Sequence, residues 1–282
     1  MRVFIHEATR DDSLRLAHFL KRHSDTTMFM RANLQNHGIG QSDHKHAMRY
    51  FLRERGAQIV GVGAISNSGM LMVQADEGIA DIAAHMKSAL GDVEIAGFLG
   101  ESTMVGEMRA AFGLPPRETV LDEAETLFSL PLSDLEIPRL KGASLRKACG
   151  VDLPRLLDWT YDYMVETGLK TAGEDTRAVV KKDVLSSLKH GNLRLLVHKG
   201  KAVAKTSFNA AMPDAVQIGG VYTPPDFRGR GYARLAVALH LEEARKNGVE
   251  RAILFASNPA AIRAYRAIGF REIGAYTMTI FA

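Results

Sequence analysis

Between Val216 and Gly231 the chain reads Val-Gln-Ile-Gly-Gly-Val-Tyr-Thr-Pro-Pro-Asp-Phe-Arg-Gly-Arg-Gly, a stretch that narrows the possible folds more than any other. Val216, Ile218, Val221 and Tyr222 are β-branched, aliphatic or aromatic, as a buried strand requires. Pro224 and Pro225 stop that strand, and Gly229 and Gly231 free the backbone beyond it. From Ala233 to Ala244 apolar residues recur at helical spacing, until Lys246-Asn247-Gly248 supplies a basic last turn and a glycine stop. A strand, a glycine turn and a helix in direct succession suit anion binding. Unpaired backbone N–H groups at such a turn converge on one point, where the helix dipole also favours negative charge. Arg228, Arg230 and Arg234 add fixed positive charge. By itself the loop is equally readable as an ordinary turn with solvated arginines.

The residues that follow decide between these readings. Arg251 to Ala256 reads as a second buried strand, Asn258 can cap a helix that opens at Pro259, and Gly269 can close it. Arg228-x-x-Gly231-x-Ala233 resembles the coenzyme A pyrophosphate signature of the GNAT superfamily of N-acetyltransferases. Asn258, Ala261, Tyr265 and Gly269-Phe270 match that superfamily's later pattern in order and spacing. The close resemblance covers roughly residues 193–282.

This resemblance implies an acetyl-coenzyme A cosubstrate and acetyl transfer to a primary amine by direct attack in a ternary complex. It places the pantetheine arm between two splayed strands, against the backbone of Val221 and Thr223. The pyrophosphate is assigned to Arg228, Gly229, Arg230, Gly231, Tyr232 and Ala233, and Arg234 is either a further phosphate ligand or a solvated helix residue. Asn258 bonds the pantetheine, caps its helix, or does both. The Val221 N–H would receive the oxyanion and Tyr265 would protonate the departing thiolate; a phenol near pKa 10 keeps its proton at neutral pH.

Protein-lysine-acetylating relatives carry a glutamate eleven residues before the first signature position. That position is Gln217 in this sequence, and glutamine cannot act as a base. Either a water chain removes the proton or the acceptor is an amine of low pKa, so a small molecule or an α-amino group is expected rather than a protein lysine. His198 and His240 are further candidates. The acceptor would be held by the segment with Asp158, Trp159, Tyr161, Asp162, Tyr163 and Glu166, which reads equally as an amphipathic helix packed into a core. A non-catalytic acyl-coenzyme A-binding or sensing protein is the alternative function. A tandem aminoacyl transferase is a third reading, which the well-formed loop opposes.

The first half shows the same order of elements. A strand from Arg2 to Ala8 is followed by a helix to Leu20 and by helices over Thr27–Asn36 and Asp43–Leu52. A hairpin joins Gln58–Ile65 to Met70–Gln74, and then come a helix (Ile79–Leu90), a strand (Val93–Leu99), a helix (Thr103–Phe112) and a strand around Thr126–Leu130. The second half repeats that order with more strands, from a strand at Ser144–Cys149 to a last strand at Arg271–Phe281. An α/β (α+β) fold follows, with two tandem GNAT-like domains, residues 1–138 and 139–282, each a mixed, mostly antiparallel twisted sheet flanked by helices. In the first half only Glu77 and Gly78 separate strand from helix, after Asp76, and these acids would repel a pyrophosphate. The first domain is therefore expected to be degenerate and free of cofactor.

Charge agrees with this division. Residues 1–138 carry a net −6 and residues 139–282 a net +10, so the basic half is the one with the anion loop. A polyanionic cofactor accounts for that excess, and no aromatic-studded basic stripe points to nucleic acid. No apolar leader and no membrane-length apolar run is present, so a cytoplasmic protein is expected. The single Cys149, which excludes an internal disulfide, reads as a small buried residue at a strand end. His37, His44 and His46 lie in a polar loop without zinc-like spacing, so no metal is expected.

Overall fold

The computed structural model describes residues 3–40 and 42–282; Arg2, where the first strand was expected to open, lies outside the described residues. In chain order the elements are β1 (Val3–Glu7), α1 (Ser13–Arg22), α2 (Ser24–His37), β2 (Met48–Arg55), β3 (Gln58–Ser66), β4 (Met70–Ala75), α3 (Ile79–Ala89), β5 (Gly97–Glu101), α4 (Ser102–Phe112) and β6 (Thr119–Pro131). They continue as β7 (Ala143–Lys147), α5 (Leu153–Glu166), α6 (Glu174–His190), β8 (Leu193–His198), β9 (Lys201–Ala211), β10 (Ala215–Tyr222), α7 (Tyr232–Lys246), β11 (Arg251–Ala256), α8 (Pro259–Arg266) and β12 (Arg271–Phe281). From β7 onward the order is that of β1 to β6 again, helix for helix and strand for strand.

The chain divides into two compact units, Met1–Thr126 with Gly274–Ala282, and Leu127–Ile273. This division differs from a boundary near 138 in two places. The last strand belongs to the first unit from Gly274 on, because it pairs antiparallel with β5 from Tyr276↔Glu101 to Ile280↔Gly97. The end of β6 belongs to the second unit, where it neighbours β11 and the Leu132 N–H donates to the Glu250 carbonyl at 2.7 Å.

In the first unit β1 to β5 lie side by side, followed by the end of β12 and the start of β6. Helices cover both faces. Leu16, Phe19, Leu20 and Met30 pack on Tyr50, Leu52, Val62 and Met72, while Ile82, Met86, Met108 and Phe112 pack on Phe51, Leu71, Val73 and Phe98. The helix expected over Asp43–Leu52 is corrected: Met48–Arg55 is a strand, hydrogen-bonded to β1 on one side and β3 on the other. Buried residues 50–53 occupy both faces of the sheet, and a strand buried on both faces shows no alternation to distinguish it from a helix.

In the second unit the order is β7, β8, β9, β10, β11 and the end of β6, antiparallel as far as β10 and parallel between β10 and β11. One face carries α5 and α6 through Leu156, Trp159, Val180 and Val184, packed against Leu193, Leu195 and Tyr222. The other carries α7 and α8 through Val237, Leu241 and Tyr265, with Ile268 just past α8, packed against Val216, Ile218 and Leu254. Burying about 100 Å² of apolar area stabilises by about 2.5 kcal/mol, so both layers hold the central strand firmly. Cys149 corrects the sequence reading: it is exposed, at the N-cap of a short turn, and its backbone N–H donates to Asp152 Oδ2 at 3.0 Å.

Candidate functional site

The site grows from the end of β10. Its parallel pairing with β11 holds for three residues, Ala215↔Arg251, Val216↔Ala252 and Gln217↔Ile253, and then stops. Against β9 the register shifts between Gln217 and Ile218 and again between Gly219 and Tyr222, so Gly220 and Val221 have no ladder partner on that side. Gly220 makes this possible with φ +58; a Cβ there would press on the Ser207 hydroxyl at 2.8 Å. Val221 thus lies beyond the last paired residues of β10 and β11 and outside the ladder with β9.

Beyond Tyr222 the chain runs through a short 3-10 turn, Pro225–Phe227, to Gly229 and Gly231, both at φ +75. Gly231 is the N-cap of α7 and no side chain caps that helix. The first helical bond past the loop is Leu235 N–H to Gly231 O, and among the described residues none of the N–H groups from Gly229 to Arg234 donates to a chain carbonyl. Two buried polar atoms beside this turn also lack partners, Thr223 Oγ1 and Arg234 Nε. Unpaired donors at a helix N-terminus, with the half-buried Arg234 and its orphaned Nε beside them, suit a phosphate. A diphosphate-bearing cofactor therefore fits the residues present.

Arg228 stands differently. Its Nε donates to the Thr223 carbonyl at 2.9 Å, and its NH2 donates to both carboxylate oxygens of Glu166 at 2.7 and 2.9 Å. The guanidinium also lies 5.6 Å from the Tyr222 ring centroid. It joins the loop to the end of α5. Arg230 is exposed, and the Tyr232 ring is buried with its hydroxyl 2.8 Å from His198 Nδ1, so only the backbone of Tyr232 faces the turn.

Tyr265 is buried on α8, edge-on to Phe270 with ring centroids 5.9 Å apart, in the core that also receives Val221 and Ala261. Asn258 accepts from Ala260 N at 2.8 Å and Ala261 N at 3.4 Å, so its Oδ1 caps α8. Pro259 at the first helical position and Asn258 before it are why the helix begins there. Val221, Thr223 and the Gly229–Ala233 turn thus follow one another from the end of β10, and Tyr265 lies in the hydrophobic cluster on which Val221 packs.

The candidates for a base separate. Gln217 is fully buried and both its amide atoms lack partners. His240 stacks on Phe208 at 3.8 Å, and burial pushes its imidazole down to about 3, so it stays neutral. On α5, Trp159 is core, while Asp162 Oδ2 and Glu166 Oε1 each accept from the Tyr222 hydroxyl at 3.4 Å. Burial and these two carboxylates push the Tyr222 phenol up to about 12. The sequence reading missed Lys205. This lysine is 3% exposed on β9, opposite Tyr222 in register, and donates to Thr160 Oγ1 at 2.8 Å. A lysine directly after the apolar run Ala202-Val203-Ala204 of a central strand was the signal.

In the first unit the corresponding turn is Asp76-Glu77-Gly78. Arg53 fills it: NH1 donates to Glu77 Oε1 at 2.6 Å, and a Cβ on Gly78 would collide with the guanidinium. Arg55 pairs with Glu77 as well. Among the described residues, ligand atoms of His6, Asp12 and Glu54 converge, but Arg15 holds both carboxylates at 3.2 and 2.6 Å. No described helix is long and apolar enough to cross a membrane.

Comparison with known proteins gives this geometry a context. Residues 154–270 match the family model described as Acetyltransferase (GNAT) family. A stretch of 54 residues is 41% identical to Acetyltransferase Atu2258 of Agrobacterium fabrum, covering 19% of this chain and 39% of that relative's length. Among solved structures, a GNAT-family acetyltransferase from Colwellia psychrerythraea is 12% identical with a TM-score of 0.55, covering 100% of both chains. A tandem GNAT protein from the clavulanic acid biosynthesis pathway is 14% identical with a TM-score of 0.57, covering 99% of this chain and 98% of that one. At such identities the likeness concerns the fold, which is of the tandem GNAT kind.

Proposed function

We propose, from the match of residues 154–270 to the GNAT acetyltransferase family model, that this chain is an acetyltransferase of that kind and transfers an acetyl group from acetyl-coenzyme A to a primary amine. The acceptor is a small molecule or an α-amino group. One observation carries the proposal: where β10 parts from β11, an uncapped glycine turn with orphaned donors adjoins the bulged backbone of Val221.

When bound, acetyl-coenzyme A supplies an acetyl group activated as a thioester. Gly229, Arg230, Gly231, Tyr232 and Ala233 offer backbone N–H groups to its diphosphate, with the Arg234 guanidinium behind them and Arg228 able to turn from Glu166. The Val221 and Thr223 backbone lines the pantetheine, and Asn258 keeps an amide N–H₂ for it after capping α8. The Val221 N–H stabilises charge developing on the carbonyl oxygen, an interaction of the kind worth about 3–4 kcal/mol in a dry site. The Tyr265 hydroxyl gives a proton to the departing sulphur. Asp162 and Glu166, exposed at the end of α5, attract a cationic acceptor. The first unit binds no cofactor, because Arg53 and Glu77 close its turn, and its role is structural.

A panel of amines, from amino acids to small polyamines, offered with acetyl-coenzyme A while free thiol is followed, tests the reading. Thiol release that depends on one class of amine is expected. Tight acetyl-coenzyme A binding with no release for any amine would make the protein a sensor instead.

A further inference from the structure

With Gln217 fully buried and unable to take a proton, the proposed reaction lacks a base, and the structure holds one that the sequence motifs do not indicate. Lys205 extends from β9 on the face covered by α5, opposite Tyr222 in the sheet register. Its Nζ donates to Thr160 Oγ1 at 2.8 Å and lies 5.5 Å from the Tyr163 ring centroid. Beside it lies Gly220, where a Cβ would stand 4.0 Å from Nζ and 2.8 Å from the Ser207 hydroxyl, so the bulged backbone approaches the amine with no side chain of its own between them.

The surroundings are short of negative charge. On α5 the lysine meets Thr160 and Tyr163, on β10 Tyr222, and on β8 Leu195. Asp162 and Glu166 stop at the Tyr222 hydroxyl, and Glu166 is shared with Arg228. Among the described residues no carboxylate pairs with Nζ. An ammonium buried without a counter-charge pays a desolvation penalty, and burial lowers this group to about 7. At neutral pH a large fraction of the side chain is therefore a free amine, able to accept a proton.

We propose that Lys205 is the general base of the acyl transfer, taking the proton from the acceptor ammonium beside Gly220 and Val221; this inference rests on the function proposed above. The acceptor ammonium gives one proton to the neutral Lys205 amine. Its nitrogen then forms the new C–N bond to the acetyl carbon as the C–S bond breaks, and the bonding pair leaves with sulphur. The second nitrogen-bound proton leaves through solvent and restores the Tyr265 phenol, which has given its own to sulphur, so the products are an amide, a thiol and one proton on Lys205, which then passes to solvent. A base near 7 serves an ammonium acceptor at neutral pH without a carboxylate.

The pH dependence of kcat, measured on the full chain and on Lys205→Met with acetyl-coenzyme A binding followed by calorimetry on both, tests the proposal. The wild type is expected to rise along a limb of apparent pKa about 7. Lys205→Met is expected to bind acetyl-coenzyme A as the wild type does, to lose about 10²–10⁴ in kcat and to lose the limb. A raised KM with kcat and limb unchanged would overturn the proposal, since Lys205 would then only hold the acceptor. A nitrogen-15 titration of the wild-type lysines needs neither turnover nor a folded variant: an Nζ resonance titrating about 7 supports the assignment, and its absence overturns it. If the wild type releases no thiol with any amine, the acyl-transfer reading falls and this role with it; if only the Lys205 arms fail, that reading stands without this base.

Discussion

At the residue scale, the proposed chemistry is divided between two buried side chains. Lys205 is stripped of water and counter-charge, which lowers its ammonium to about 7, while Tyr265 packs edge-on to Phe270 in an apolar core. A Tyr265→Phe change keeps the ring and its contact with Phe270, and so removes only the hydroxyl. The account predicts a fall in kcat of about 10²-fold or more, with acetyl-coenzyme A affinity and thermal midpoint nearly unchanged, measured by thiol release, calorimetry and thermal melts. Equal activity in the variant would remove Tyr265 from the reaction. The two residues were unequally legible in the sequence. Tyr265 stands at a motif position between Ala261 and Gly269, whereas the meaning of Lys205 depends on Thr160 and Tyr222, which only the folded sheet brings against it. Cys149 shows the reverse error: its small apolar character suggested burial, yet the turn it caps leaves it exposed.

At the element scale, the turn before α7 was readable because glycine, proline and arginine each have a local physical reason to be there, namely φ +75 at Gly229 and Gly231, a strand stop at Pro224, and charge at the helix start. Strand β2 was not, since residues 50–53 are buried on both faces by neighbours distant in sequence. A second local device, at the start of α5, carries a pH signature. Asp152 accepts two hydrogen bonds from Arg146 at 2.7 Å and one from Cys149 N–H at 3.0 Å, and these hold its carboxyl down at about 2. Because the folded pKa is depressed, this stabilisation is complete above the ordinary carboxylate range and is lost as pH falls from about 4 towards 2. Asp152→Asn should cost about 1.5–3 kcal/mol at neutral pH, the worth of a charged hydrogen bond. Thermal melts should show its deficit closing as the pH is lowered through that window; a deficit constant with pH would mean that packing, not the carboxylate, is responsible.

At the scale of the whole molecule, one order of strands and helices occurs twice, but the two turns that follow β4 and β10 differ in chemistry. One ends in Gly231 with donors facing outward, the other in Gly78 under the Arg53 guanidinium beside Glu77. The net charges of the two halves, −6 and +10, follow the same division. The sequence made the doubling visible through element order, but not the exchange of closing strands, since the partners of β6 and β12 are set by pairing across more than a hundred residues. Calorimetric titration of acetyl-coenzyme A into the intact chain and into an Arg228→Ala/Arg230→Ala variant reads this asymmetry directly. The account predicts one molecule bound per chain with micromolar affinity, weakened about tenfold or more in the variant, which corresponds to about 1.4 kcal/mol. No binding, binding unaffected by the two substitutions, or two molecules bound per chain would contradict it.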